Sequence, residues 1–458
     1  MALDTGSDPR IPATIPAPSA PLGLWAAWRT ARRNVLELIP EAAYREPYMS
    51  GGSRPGWIMI SDPAGCEHVL KTRAANYPRS DITLRILSPR EGDSLFTTDG
   101  AEWRWQHRAM TPMFQHRHLA GMAPIMTDAA EAAAARVATG AAAGGPVDVY
   151  PEMVAATADV ICDAALSGRE ALDRDALAHG VTRFIEDVAR ISLLDLLGAP
   201  GWIPRPGRLF DRTGAAMDRK MDEIIAARIA RGPGTPPDLL DLLIAARDPE
   251  TGQEMSRIRL RNNLLAFIVA GHETTALALT WALYLLALDP AAQRRARDCA
   301  AGALGERAAT AEDLAQLGYL KQVIEEAMRL YPPAGFMSRQ AREADEIAGH
   351  PIKPGHTVIL PVYAMHRHRM LWDAPDAFDP DRFSEEAKAA RHRFAYLPFS
   401  AGPRICLGMH FAMMEAQIIL ATLLARFSFA LPKGFEADPR MVFTLRPHGG
   451  MPLEVTRH

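Results

Sequence analysis

The sequence predicts a mainly α protein with small β-sheets, organised as one large domain around a long central helix. Three observations lead there. A nearly unbroken helical pattern runs from about Ser256 to Leu288. At roughly 1.5 Å per residue it spans about 50 Å, enough to cross a whole domain. Helical patterns dominate the rest of the chain, and strand-like runs are short and fenced by proline or glycine. The 458 residues are 48% hydrophobic and 23% charged, which supplies a large core and an ordinary solvated surface.

The elements follow in order. Residues 1–22 carry Pro9, Pro12, Pro16, Pro18 and Pro21 among small residues, which predicts a mobile or extended leader; 23–458 form the domain. Gly56 to Ser61, between Pro55 and Pro63, reads as a strand. Helices are expected over Glu102–Met110 (stopped by Pro112), Asp128–Thr139 (stopped by Gly140), Met153–Leu166, Asp173–Leu197 and Gly207–Arg231. The central helix ends at Pro290, and Leu320–Leu330 ends at Pro332 and Pro333. His356–Met365 reads as a strand and Trp372–Phe383 as irregular. Leu407–Phe427 reads as a helix, and Pro452–Arg457 as a closing strand.

Composition removes several functions. A net charge of -3 offers no field for nucleic acid. The four cysteines, Cys66, Cys162, Cys299 and Cys406, are far apart and form no CxxC pair, which argues against a zinc ribbon or a disulfide scaffold and suits a reducing cytoplasm. The N-terminus lacks the charged-then-apolar pattern of a secretion signal. Leu264–Leu288 is nearly all apolar, but His272 and Glu273 interrupt it, so it reads as a buried axis and not as a transmembrane anchor. His116, His118, His366 and His368 lack further ligands at metal-site spacing and read as solvated or core residues.

Two strings carry chemistry. FSAGPRICLG, Phe399 to Gly408, is a glycine-containing loop presenting one thiol at a helix start. A cysteine there gains from the helix dipole and free N–H groups, which favour the thiolate. Gly402 and Gly408 permit tight turns beside a flat ligand, and Arg404 offers a cation suited to a carboxylate. A lone free cysteine is more often a buried inert one, but thiol, cation and glycines together suit haem iron. AGHETT, Ala270 to Thr275, places an acid inside the apolar helix, which is costly unless used or paired. Thr274 can bond back to the preceding turn and open the helix locally. On this string alone a polar ladder between helices fits equally well. A zinc HExxH site fails because Ala276 stands four after His272. Glu326 and Arg329, in EEAMRLYPP, share one helix face and can pair.

In these strings the chain resembles the cytochrome P450 family. Phe399, Gly402, Arg404, Cys406 and Gly408 match its haem-loop pattern FxxGxRxCxG, and Ala270 to Thr275 match [AG]Gx[DE]TT. ExxR (Glu326, Arg329), an arginine in FDPDRF (Arg382) and Trp103 in WRWQHR follow the family's order over about Leu22 to the end. The resemblance implies haem b (iron protoporphyrin IX) with Cys406 as axial ligand, Phe399 near the sulfur and Arg404 on a propionate. It implies Trp103, His107 and Arg339 as further propionate contacts; the usual WxxxR has His107 where the arginine stands, with Arg108 beside it. Ala270 and Gly271 would line the oxygen groove, Glu273 and Thr274 would relay protons, and His272 would face away. Glu326, Arg329 and Arg382 would be structural. Phe267, Ala270, Ala334, Phe336 and Met337, parts of Ile82–Phe96 and Phe184–Met217, and Leu445 would line an apolar pocket.

The activity so implied is a cytoplasmic monooxygenase inserting one atom of dioxygen into a small lipophilic substrate. NAD(P)H-derived electrons would come from an external ferredoxin or flavodoxin and its reductase. That partner would dock on the cysteine side, where Arg104, Arg108 and Arg117 could form a basic patch. Two other readings stay open: a peroxygenase or isomerase needing no external electrons, and a non-enzymatic haem sensor. The intact Glu273–Thr274 pair argues against both.

Overall fold

The computed structural model describes residues 11–20, 22–52, 56–166 and 212–458. The expected helix Asp173–Leu197, the start of Gly207–Arg231 and most of the pocket region Phe184–Met217 lie outside them. The helices are α1 (Leu24–Arg33), α2 (Asp81–Glu91), α3 (Gly100–Met110), α4 (His116–Ala142), α5 (Val149–Leu166), α6 (Arg212–Arg231), α7 (Leu239–Ala245), α8 (Arg257–Leu288), α9 (Pro290–Leu304), α10 (Gly318–Leu330) and α11 (Met409–Arg426). Shorter helical turns connect them. The central helix is α8, started by Ser256, whose side chain accepts from the Arg259 N–H. It packs against α5, α10 and α11, and Leu277, Leu279, Trp281, Leu283 and Leu285 on it are fully buried. By length and apolarity it could cross a bilayer, but neighbouring helices enclose it.

The strands are β1 (Tyr48–Gly51), β2 (Trp57–Ile60), β3 (Val147–Asp148), β4 (Met337–Gln340), β5 (Asp345–Ile347), β6 (His350–Ile352), β7 (Thr357–Leu360), β8 (Phe427–Ala430), β9 (Pro439–Met441), β10 (Leu445–Pro447) and β11 (Pro452–Arg457). The largest sheet runs β1-β2-β7-β4, with β2 and β7 parallel and the other pairs antiparallel. β4 presents Arg339, and the β9–β10 hairpin lies against the chain just before β4, through Leu445 N–H to Pro333 O at 3.1 Å.

Four expectations need correction. Pro290 does not merely end the central helix. Asp289 caps a new helix through Ala291 and Ala292, and Pro290 takes its first position, where a missing N–H costs nothing. α4 begins at His116, not Asp128, and carries Pro124 inside it because Leu119, Met122 and Ala123 are buried there. The strand predicted over His356–Met365 stops at Leu360: Pro361 supplies no N–H, and Val362–Met365 turns as a helix. The leader is extended but tied down over residues 11–18. Tyr284 and Tyr363 hydroxyls accept from Ala13 and Ile15 N–H at 3.2 and 3.1 Å, Tyr331 donates to Ala13 O at 2.7 Å, and Ile15 is buried. Deleting residues 1–17 should therefore cost about 3 kcal/mol, three hydrogen bonds at roughly 1 kcal/mol each, read by urea denaturation.

Candidate haem and oxygen site

Most of α8 is enclosed, but one stripe is open. Between Asn262 and Ala287, every residue is buried except Phe267, Ala270, Gly271 and Thr274. At 100° per residue these four fall on one face, so the helix presents them to a cavity. Thr274 donates its hydroxyl to Ala270 O at 2.7 Å, the back-bond expected of it. Gly271 also sets helix spacing: a side chain there would meet Ile161 of α5 at 3.2 Å. His272 lies on the far side, buried, and burial lowers its pKa.

Glu273 points away from the open stripe. Its carboxylate pairs with Arg446 at 2.6 Å, accepts from Thr444 on the β9–β10 connection at 2.7 Å and from Tyr150 of α5 at 3.1 Å. These partners answer the cost of a buried acid. They also separate the acid from Thr274 by about 100° around the helix.

The thiol loop is built on a forced backbone. Gly402 has φ +71°, and a Cβ there would sit 1.9 Å from Leu70 O, so only glycine fits. Cys406 N–H donates to Phe399 O at 2.9 Å, which closes the loop behind the sulfur, and Phe399 packs on the core. The thiol sits at a solvent-facing position, yet surrounding protein raises its pKa; the Gly408 N–H lowers it by less. The Gly408 N–H acts in the direction expected of a helix start, and the surrounding protein acts against it more strongly.

Beside the loop, positive charge exceeds negative. Arg404 donates to Thr98 O at 3.1 Å, pairs with Asp99 and lies over the Trp103 ring at 4.5 Å. Trp103 stacks on His107 at 4.8 Å. The Arg404 Nη1 and the His107 Nε2 are buried and lack partners among the described residues. Among the described residues, the side chain of Arg339 on β4 donates to Ser338 O alone, at 2.9 Å. Burial, then Arg79 and Arg404, push its pKa down to about 9 against Asp99. Among the described residues, the Arg404 and Arg339 guanidiniums and the bare His107 Nε2 gather near the Asp99 carboxylate, which suits an anionic ligand with more than one carboxylate, as a porphyrin's propionates would be. Arg108, next to His107, turns away from this cluster, bonded twice to Asp248 at 2.8 Å and paired with Glu250. That pairing also removes Arg108 from the expected basic patch. Arg79 and Asp99 were not expected. Arg79 bridges Arg339 across the sheet edge and stacks over Phe96, and its only sequence signal was its place between Pro78 and the capping Ser80.

The supporting triad is complete. Arg329 grips Glu326 at 2.6 and 2.7 Å and donates to His366 O, Pro375 O and Ala377 O at 2.8, 2.6 and 2.8 Å. Arg382 stands 3.6 Å from Glu326 and bonds Ala374 O. Both Glu326 and Arg329 are fully buried. Of the expected pocket residues, Ala334 is exposed, Phe336 and Met337 are half-buried, and Phe267 meets Phe114 edge-on at 5.6 Å. Leu445 is a correction: it is fully buried, its backbone tied to Pro333 and Trp281, so it does not line an open cavity.

Comparison with known proteins points to one family. The family model described as Cytochrome P450 matches residues 46–451. The chain is 33% identical over 411 residues to "Putative cytochrome P450 132" of Mycobacterium tuberculosis, covering 86% of this chain and 87% of that one. It is 34% identical over 395 residues to "Cyclooctatin synthase" of Streptomyces melanosporofaciens, covering 86% and 85%. Among solved structures it resembles "Crystal structure of cytochrome P450DA heme domain", with TM-score 0.79, 26% identity, and 98% and 99% of the two chains covered.

Proposed function

The chain belongs to the cytochrome P450 family and is a haem-thiolate monooxygenase, and from that premise we propose that it oxidises a small lipophilic molecule with dioxygen and external electrons. The surplus of buried cationic charge beside the thiol loop carries this reading. It calls for an anionic prosthetic group of the kind haem b is, held at the one cysteine the sequence presents in a glycine-formed loop.

Bound haem would supply the oxygen chemistry, with electron donation from the Cys406 sulfur favouring O–O cleavage. The protein's part is positional and protonic. Arg404, Arg339, His107 and Trp103 would hold the propionates. Phe267, Ala270, Ala334, Phe336 and Met337 give an apolar surface suited to a terpenoid, steroid, aromatic or fatty compound. Thr274 places a hydroxyl on the open stripe. Glu273 brings protons from the Arg446 side, where that arginine is partly exposed, and must leave Arg446 and rotate to reach Thr274. A ferredoxin or flavodoxin, reduced by NAD(P)H, would dock on the cysteine side of this cytoplasmic enzyme, where Ile405, Cys406 and Arg104 reach the surface.

Lipophilic compounds that perturb the haem spectrum are the substrates to test. With labelled dioxygen, NAD(P)H and a ferredoxin system, product should carry one labelled atom. Product formed from peroxide alone would instead mark a peroxygenase, and binding without product a sensor. Thr274→Ala should reduce product per NAD(P)H about 100-fold, the lower end for lost acid–base catalysis, while NAD(P)H consumption continues. Glu273→Gln should slow both.

A further inference from the structure

Helix α1 has two faces with different fates. Ala31 is fully buried on the inner one, and Asn34, which ends the helix, donates to Pro439 O at 3.0 Å and accepts from Met441 N–H at 3.1 Å. On the outer one, Trp25, Arg29 and Arg32 recur at i, i+4 and i+7, with Arg33 alongside. Trp25 is 63% exposed. With Leu22 and Ile11 it makes three of the seven large hydrophobic residues left exposed in the described chain, all within its first 25 positions. Packing inside the protein gives no reason for this.

The charge is one-sided. The helix LWAAWRTARR contains no acid, although the whole chain is net -3. Arg33 is neutralised by Glu37. Among the described residues Arg29 and Arg32 pair with no carboxylate, and Arg32 lies over the Trp28 ring at 5.1 Å. A tryptophan flanked by free guanidiniums matches the headgroup layer of an anionic bilayer, where the ring lies at the polar–apolar boundary and the cations meet phosphate.

The patch also sits at the pocket end of the fold. Leu36, two residues after the Asn34 cap, packs so closely on Gly335 that a Cβ there would lie 2.9 Å from it. Gly335 stands between Ala334 and Phe336 of the pocket segment. Docking at α1 therefore brings that segment toward whatever surface α1 touches.

We propose that the outer face of α1, with Trp25, Arg29 and Arg32 at its centre and Leu22 just before it in the chain, docks the enzyme peripherally on an anionic lipid surface. No segment spans that membrane in this reading. The attachment is electrostatic with a shallow aromatic anchor, so it is reversible and weakens with salt. Removing one arginine near such a surface weakens binding about fivefold. The proposal does not depend on the proton route or on the identity of the substrate.

The test is flotation of the haem-loaded full chain with vesicles of phosphatidylcholine plus phosphatidylglycerol, beside vesicles of phosphatidylcholine alone. The expected result is flotation with the anionic vesicles only, lost at high salt. Trp25→Ser and the double variant Arg29→Gln/Arg32→Gln should each weaken it more than tenfold. An unchanged haem absorbance in both variants shows that folding is intact. Three results overturn the proposal: no flotation of the wild-type chain, equal flotation with neutral vesicles, or variants that float as the wild type does. If the wild type fails to float while Trp25→Ser slows reduction by a ferredoxin, the patch belongs to a protein partner instead.

Discussion

Cys406→Ala should yield a folded protein that binds haem poorly and has lost monooxygenase activity by more than about 100-fold, beyond the effect of removing an outer supporting group. The loop survives the change because its shape comes from backbone. Gly402 is fixed by contact with Leu70, and the Cys406 N–H to Phe399 O bond does not use the side chain. What disappears is the sulfur proposed as the ligand of the haem iron. Cys406→Ser tests the same point more gently: its oxygen is a harder and weaker donor, so any bound haem should lose the thiolate signature. Haem-to-protein ratio, near-ultraviolet circular dichroism and product formation together separate loss of ligand from loss of fold.

The second large effect lies away from the chemistry. Arg329→Met leaves Glu326 buried without its partner and frees three backbone carbonyls, at His366, Pro375 and Ala377, from their donor. Breaking a buried ion pair by removing one partner costs about 3–5 kcal/mol. Against a typical total of roughly 5–15 kcal/mol, that is enough to lose much of the folded protein. Arg329→Lys should not rescue it, because one ammonium cannot reproduce a planar guanidinium serving five acceptor atoms on two sides. Urea denaturation should show a lower midpoint, and purified protein should contain less haem. Thr274→Ala, by contrast, should denature as the wild type does, which separates scaffold from catalysis.

The long axis, the thiol loop and the Glu326–Arg329 pair were legible in the sequence because each depends on short-range spacing. Apolar residues all round mark the buried helix, glycines mark a forced turn, and positions three apart share a helix face. Features that depend on distant partners were not. Arg108 leaves the cluster around Arg404 because Asp248, some 140 residues on, takes it. Glu273 turns from the cavity because Thr444 and Arg446 come back from the C-terminal hairpin to meet it. The anchoring of residues 13–15 was not legible because the tyrosines that hold them lie more than 270 residues downstream. α9 was hidden by Pro290, which breaks a helix interior but opens a new helix when an aspartate precedes it.

The proposed function turns on Cys406 as the thiolate ligand of haem iron. Its most direct test is the absorption spectrum of the dithionite-reduced, haem-loaded protein under carbon monoxide. The expected result is a strongly red-shifted Soret band, lost in Cys406→Ala. A band at the position typical of histidine-ligated haem, in fresh and fully loaded protein, would contradict it.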